Sequence, residues 1–115
     1  MSGLSIRAAW RPLDREHAEA LIATLGGYEI ADAAGRTLMI GYAGGRSRFG
    51  LRSVITQLIG GEGTQFRVEY NMQYLSRWKE LLMDFRSING SLPPLNSDDD
   101  GFRLGHLGPV RGART

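Results

Sequence analysis

The sequence predicts one small α+β domain: a mainly antiparallel, three-stranded sheet flanked by helices. Three observations predict it. Two short apolar strands flank a four-residue connection, Ala33-Ala34-Gly35-Arg36, too short for a parallel crossover. A run from Phe66 to Met72 alternates apolar and polar residues with a period of two. Three other stretches repeat their apolar residues at helical spacing. The 115 residues suffice for one modest core and not for two.

The elements follow in order. Leu13, His17, Ala18, Leu21, Ile22 and Leu25 share a helical stripe, so a helix is predicted over 12–25. Pro12 suits its first turn, and Gly26-Gly27 supplies the stop. Strands are predicted over 28–32 and 37–43, the second broken by Gly44-Gly45. Leu51, Val54, Ile55, Leu58 and Ile59 mark a second helix, closed by Gly60-Gly61. In the 66–72 strand, Phe66, Val68, Tyr70 and Met72 should share a buried face, leaving Arg67, Glu69 and Asn71 in water. The last helix carries Leu75, Trp78, Leu81, Leu82 and Phe85 on one stripe. Asn71 is its candidate cap, Gly90 its end, and Pro93-Pro94 forbids continuation. The expected division is a domain over 1–96 and a surface tail over 97–115.

Composition narrows the chemistry. The chain has no cysteine, which removes disulfides, thiolate zinc sites and a cysteine nucleophile together. Its two histidines, His17 and His106, are too few for a multi-histidine metal site within one chain. His17 falls on a helix stripe and reads as partly buried packing. No apolar run is long enough for a membrane span, and the segment 1–10 lacks a signal-peptide core. The expectation is a cytoplasmic protein with no membrane partner.

Net charge is only +2, so the distribution of charge matters more than its sum. No acidic residue lies between Asp32 and Glu62, yet Arg36, Arg46, Arg48 and Arg52 all do. Arg46, Arg48 and Arg52 are the candidate phosphate-binding group. The plainer reading is arginine-rich codon usage, since thirteen of the fourteen basic residues are arginine. Arg103, Arg111 and Arg114 form a second basic group in the tail. The stretch from Gly41 to Ser47 is glycine-rich and precedes a helix, but it lacks the lysine and spacing of a P-loop. Asp98-Asp99-Asp100 does not alternate as an EF-hand requires and reads as a solvated turn.

Gly26-Gly27-Tyr28-Glu29-Ile30, then a turn, then Leu38-Met39-Ile40-Gly41-Tyr42-Ala43 resembles the paired signature of the GIY-YIG nuclease superfamily. The likeness runs on through a basic helix, a third strand and a last helix to Pro93-Pro94-Leu95-Asn96, covering roughly residues 26–96. Each motif is short, and the resemblance rests on their order and spacing. It implies a GIY-YIG-like fold and a phosphodiester chemistry. One tyrosine activates the attacking water, an arginine contacts the scissile phosphate, and a carboxylate on the last helix holds a divalent ion.

On these positions Tyr28 matches the first tyrosine, Arg52 the phosphate arginine with Arg48 as competitor, and Asn96 the closing asparagine. Asp84 falls where the metal carboxylate is expected, and Glu80, one turn earlier, is the other candidate. The ion would be Mg²⁺ or Mn²⁺. The second tyrosine is replaced by Met39, which has no hydroxyl to relay a proton. Tyr42, three positions along the strand, faces the other way. Two readings stay open. One is a domain that binds DNA, RNA or another phosphate-bearing ligand and cleaves phosphodiesters weakly. The other is a degenerate domain that keeps the fold for binding or protein interaction. A homodimer with Trp10 or Trp78 in its interface is a further expectation.

Overall fold

A hairpin forms the centre of the sheet. Its strands β2 (Gly26–Ala31) and β3 (Thr37–Ala43) are antiparallel, with Tyr28 opposite Gly41 and Ile30 opposite Met39. Asp32 builds the turn between them. Its Oδ1 accepts the backbone N–H groups of Ala34 at 3.0 Å and Arg36 at 2.9 Å, an arrangement that short polar side chains favour. The Arg36 N–H in particular holds the Asp32 carboxyl below the usual carboxylate range.

The structure, a computed structural model, describes residues 5–97. Within them β4 (Gln65–Tyr70) pairs with the other edge of β2, placing Val68 opposite Tyr28 and Arg67 opposite Glu29. A two-residue strand, β1 (Arg11–Pro12), pairs with β4. The sheet is therefore four-stranded, in the order β1-β4-β2-β3, and antiparallel throughout. This corrects the expected three strands. Pro12 has no N–H to give, which confines it to an edge or a strand start, and β1 is the edge. The N–H of Leu13 then reaches the Thr64 carbonyl at 3.0 Å.

The first helix, α1 (Arg15–Glu19), is much shorter than the 12–25 its stripe predicts. Asp14 starts it by accepting the His17 N–H at 2.9 Å, a side-chain N-cap. That bond, ahead of the contact with the His17 ring, lowers the Asp14 carboxyl from its ordinary value. The helix stops early because the backbone beyond it has tertiary partners. Leu21 C=O accepts from Arg52 Nε at 3.0 Å, and the Ile22 N–H donates to Tyr70 Oη at 3.1 Å. Thr24 C=O accepts the Leu51 N–H at 2.8 Å, and Leu25 C=O accepts the Asn71 N–H at 3.1 Å. Of the predicted stripe, Ala18 and Leu21 are buried while Ile22 is 61% exposed.

The helix α2 (Gly50–Gln57) begins at a close approach. Gly50 has φ +58°, and a Cβ there would stand 2.2 Å from the Thr24 carbonyl oxygen, so only glycine fits. The longest helix, α3 (Tyr74–Asn89), ends as expected on a left-handed Gly90, with φ 86°.

The sheet has helices on both faces. Leu51 and Ile55 of α2 and Ala18 of α1, with Leu21, pack on Tyr28, Ile30, Phe66 and Val68. On the other face Trp78, Leu81 and Leu82 of α3 pack on Ile40 and Ile6. Trp78 is 2% exposed and donates its Nε1–H to the Ile40 carbonyl at 3.0 Å, so it is core and is not available to a dimer interface. In β4 the alternation holds for Phe66 and Val68. It fails beyond them: the strand ends at Tyr70, short of the expected Met72, with Tyr70 43% exposed and Met72, outside the strand, 75%.

The opposite face of β4 is not wet as expected. Arg67 Nε meets Glu29 Oε1 at 2.8 Å, and Arg77 Nε of α3 meets Glu69 Oε2 at 2.7 Å, all four side chains being largely shielded. Trp10 is half-buried and lies on the Arg67 guanidinium, 4.3 Å from ring centroid to Cζ. No helix among the described residues is long and apolar enough to cross a membrane. The acidic run 98–100, His106 and the arginines at 103, 111 and 114 lie outside the described residues.

Candidate nucleic-acid interface

The segment 44–49 joins β3 to α2 at one end of the sheet. Tyr74 of α3 anchors it: its hydroxyl accepts the Gly45 N–H at 3.2 Å, while its ring stacks on Tyr42 with centroids 5.6 Å apart. The Ser47 N–H donates to Gly44 C=O at 3.0 Å and the Ser47 hydroxyl to Gly50 C=O at 3.0 Å. The loop is thus held from both ends and turns Arg46, Arg48 and Phe49 outward, where all three are exposed.

Arg52 follows in the first turn of α2. It is exposed, and its Nε is held by the Leu21 carbonyl. That turn carries no acidic residue and no side-chain cap; its leading N–H groups are taken by backbone, Gly50 by the Ser47 carbonyl at 3.3 Å and Leu51 by the Thr24 carbonyl. Between α1 and α2 lies an open cleft of about 430 Å³, lined by Glu19, Phe49, Arg52, Ser53, Thr56 and Gln57.

Four arginines elsewhere in the fold behave differently, whereas Arg7, Arg11 and Arg86 are exposed and, like the loop arginines, form no ion pair among the described residues. Arg15, Arg36, Arg67 and Arg77 each hold a carboxylate within 3.2 Å. Among the described residues, Arg46, Arg48 and Arg52 form no such pair. Glu19, the acid in the cleft, is itself paired with Arg15 at 3.1 Å.

The residues implied by the GIY-YIG resemblance are not gathered into one cleft. Tyr28 is 5% exposed, enclosed by the core under α2, with its hydroxyl 3.8 Å from Met39 Sδ. Its neighbour Glu29 points through the other face of the sheet, and there it lines a pocket with Asp84. Tyr28 and Asp84 are therefore separated by the sheet. Asn96 is bound to the edge strand: its Oδ1 accepts the Ile40 N–H at 2.9 Å and its Nδ2 donates to the Ile40 carbonyl at 2.8 Å.

Nor do the α3 carboxylates converge on a metal position. Glu80 is engaged by Arg77 at 2.7 Å, and Asp84 faces a pocket that also contains the Arg67 guanidinium. Among the described residues no group of three or more histidine, aspartate or glutamate side chains could hold an ion. The Arg67 guanidinium in that pocket is paired with Glu29 at 2.8 Å.

Two features escaped sequence reasoning. Phe49 drew no reading of its own, although its place among Arg46, Arg48 and Arg52 was the available signal for an exposed ring. The Glu29–Arg67 pair was hidden by the alternation itself, which assigns every other residue of a strand to water when only one face is assumed covered.

Comparison with known proteins yields one family. The chain belongs to the family described as domain of unknown function DUF7508, whose model matches residues 4–88. Neither the curated proteins nor the solved structures provide a match.

Proposed function

We propose that this chain is a nucleic-acid-binding domain of GIY-YIG-like fold that uses its arginine loop to hold phosphates and keeps no assembled nuclease centre. One observation carries the reading: Arg46, Arg48 and Arg52 are exposed together at one end of the sheet, without carboxylate partners among the described residues, beside the first turn of α2. Unneutralised guanidinium groups suit phosphate oxygens. The fold assignment is supported by the order β3-β2-β4, with the hairpin's first strand in the middle and α3 on the face opposite α2. The binding reading is favoured over hydrolysis because Tyr28 and Asp84 lie across the sheet from each other.

The test is the salt dependence of binding to a labelled DNA duplex and to its single strands. Log affinity should fall with log salt by roughly 0.9 per duplex phosphate neutralised and 0.7 per single-strand phosphate. Replacing Arg46, Arg48 and Arg52 together with alanine should flatten the slope and weaken all sequences alike, since phosphate contacts carry no base information. Absence of binding at about 50 mM salt, or an affinity indifferent to the triple replacement, sinks the reading.

A further inference from the structure

The proposal above concerns phosphates; the surface also carries exposed rings. Phe49 is 53% exposed, immediately before α2, and its side chain makes no capping bond. The Arg48 guanidinium carbon is 5.8 Å from its ring centroid, and Arg52 shares the cleft beside it. Tyr70, 43% exposed, ends β4 next to Gly26, where β2 begins and β3 ends.

One short segment links the two rings. Ile22 donates its N–H to the Tyr70 hydroxyl, and Thr24 accepts the Leu51 N–H, two residues beyond Phe49. Both rings therefore sit at the same end of the sheet, tied to backbone that is itself hydrogen-bonded in place.

Resting on the reading of the arginines as phosphate ligands, we infer that the preferred ligand is single-stranded nucleic acid, with an unpaired base stacked on Phe49 and the strand running past Arg48 and Arg52. Phe49 offers a flat apolar face between Arg48 and Arg52, which suits a ligand with both flat apolar faces and negative charge. A nucleotide joins the two one sugar apart. In a duplex the base faces are covered by neighbouring pairs, so only the phosphates remain for the arginines. In a single strand both elements are available, and stacking on an aromatic ring is tolerant of base identity. The 430 Å³ cleft between α1 and α2 is of the size that small planar groups occupy. Glu19 is the one acid lining it, and Arg15 offsets its charge.

Three fluorescently labelled probes of equal phosphate count test this: an oligothymidylate of roughly a dozen nucleotides, an abasic strand and a duplex. The oligothymidylate should bind roughly 5- to 150-fold more tightly than the abasic strand, the range that one stacked base supplies. Phe49→Ala should bring it down to the abasic level, and Phe49→Trp should preserve the advantage. Arg48→Ala should weaken all three probes. Because Phe49 is exposed and caps nothing through its side chain, its replacement leaves the fold intact, and circular dichroism checks this. If Phe49→Ala retains wild-type affinity for oligothymidylate, or the duplex binds at least as well as the single strand, the stacking inference fails while the arginine surface survives. If none of the probes binds, both fall.

Discussion

Tyr28 lies over Gly41, its partner across the central hairpin, so closely that a Cβ on Gly41 would stand 2.3 Å from the tyrosine's Cζ. The tyrosine and the glycine are two of the residues that carry the resemblance in sequence. In the fold their association is one of packing: the glycine leaves room for a buried ring.

Gly41→Ala should therefore destabilise the protein. The ring is 5% exposed and enclosed by the core, so it has little room to move aside. Overpacking of this kind costs about 1–3 kcal/mol, a fall in melting temperature on the order of 5–20 °C. Gly27→Ala is the control. A Cβ there meets only Gly41 O at 3.7 Å and a Leu81 methyl at 3.9 Å, which is ordinary contact. Thermal melting should separate the two glycines, and equal effects would refute the packing account.

Acid should weaken the fold through Glu69. The hydrogen bond from Arg77 is the main cause holding its carboxyl below the ordinary 4.5, with Asn71 adding to it against the opposing effect of burial. A carboxyl depressed in the folded state contributes stability that is fully present above the unfolded value and lost as pH falls through the folded one. Melting temperature should thus decline as the pH drops below about 4.5. Glu69→Gln keeps an acceptor for Arg77 but cannot titrate, so it should be less stable near neutrality and show a shallower acid decline. An unchanged profile in that variant would remove Glu69 from the explanation.

Much of the fold was legible because local and tertiary preferences agree. The hairpin has a turn built on Asp32 and apolar strands on either side, and α3 has both its stripe and Gly90. The N-terminal helix was overdrawn because a stripe records which residues face inward, not which backbone groups bond to one another. Leu21 and Leu25 are spaced as in a helix, yet their carbonyls serve Arg52 and Asn71. β1 was invisible, since two residues ending in proline carry no period. Of the candidate site, Arg46, Arg48 and Arg52 are exposed, as arginines on any protein surface mostly are. The Tyr28–Asp84 relation was not legible, because sequence order does not state on which face of the sheet α3 packs.

Asn96 should act on the sheet edge. It bonds both backbone groups of Ile40 on β3, the edge strand, and the same carbonyl also accepts from Trp78. Asn96→Ala leaves the Ile40 N–H without this acceptor and should cost about 1–3 kcal/mol. Asn96→Asp retains the acceptor but sets a carboxylate against the Ile40 carbonyl, and should not rescue it. Hydrogen exchange at the Ile40 amide should accelerate in both variants. Nucleic-acid affinity, measured below the melting temperature, should stay at the wild-type level. A selective loss of binding or of cleavage with an unaltered exchange rate would restore a functional role to Asn96.

The last prediction concerns Met39, the position where the resemblance expects a second tyrosine. If only a missing hydroxyl separates this domain from a nuclease, Met39→Tyr should produce Mg²⁺- or Mn²⁺-dependent cleavage. We expect none. The substitution would place a hydroxyl near Tyr28 on the α2 face, whereas Asp84 remains on the α3 face and Glu80 remains held by Arg77. A proton relay contributes about 10²–10⁴ in rate only where it meets a bound phosphate and its other catalytic groups. The larger phenol should also disturb the half-buried setting of Met39, so melting must be measured beside cleavage, and Met39→Leu provides an apolar control close in volume. Wild-type and Met39→Tyr proteins that are both folded and both inactive on single- and double-stranded DNA and RNA would agree with the separation. Metal-dependent cleavage by folded Met39→Tyr that disappears on adding Asp84→Ala would show that the two faces do cooperate, and the account of a disassembled centre would be wrong.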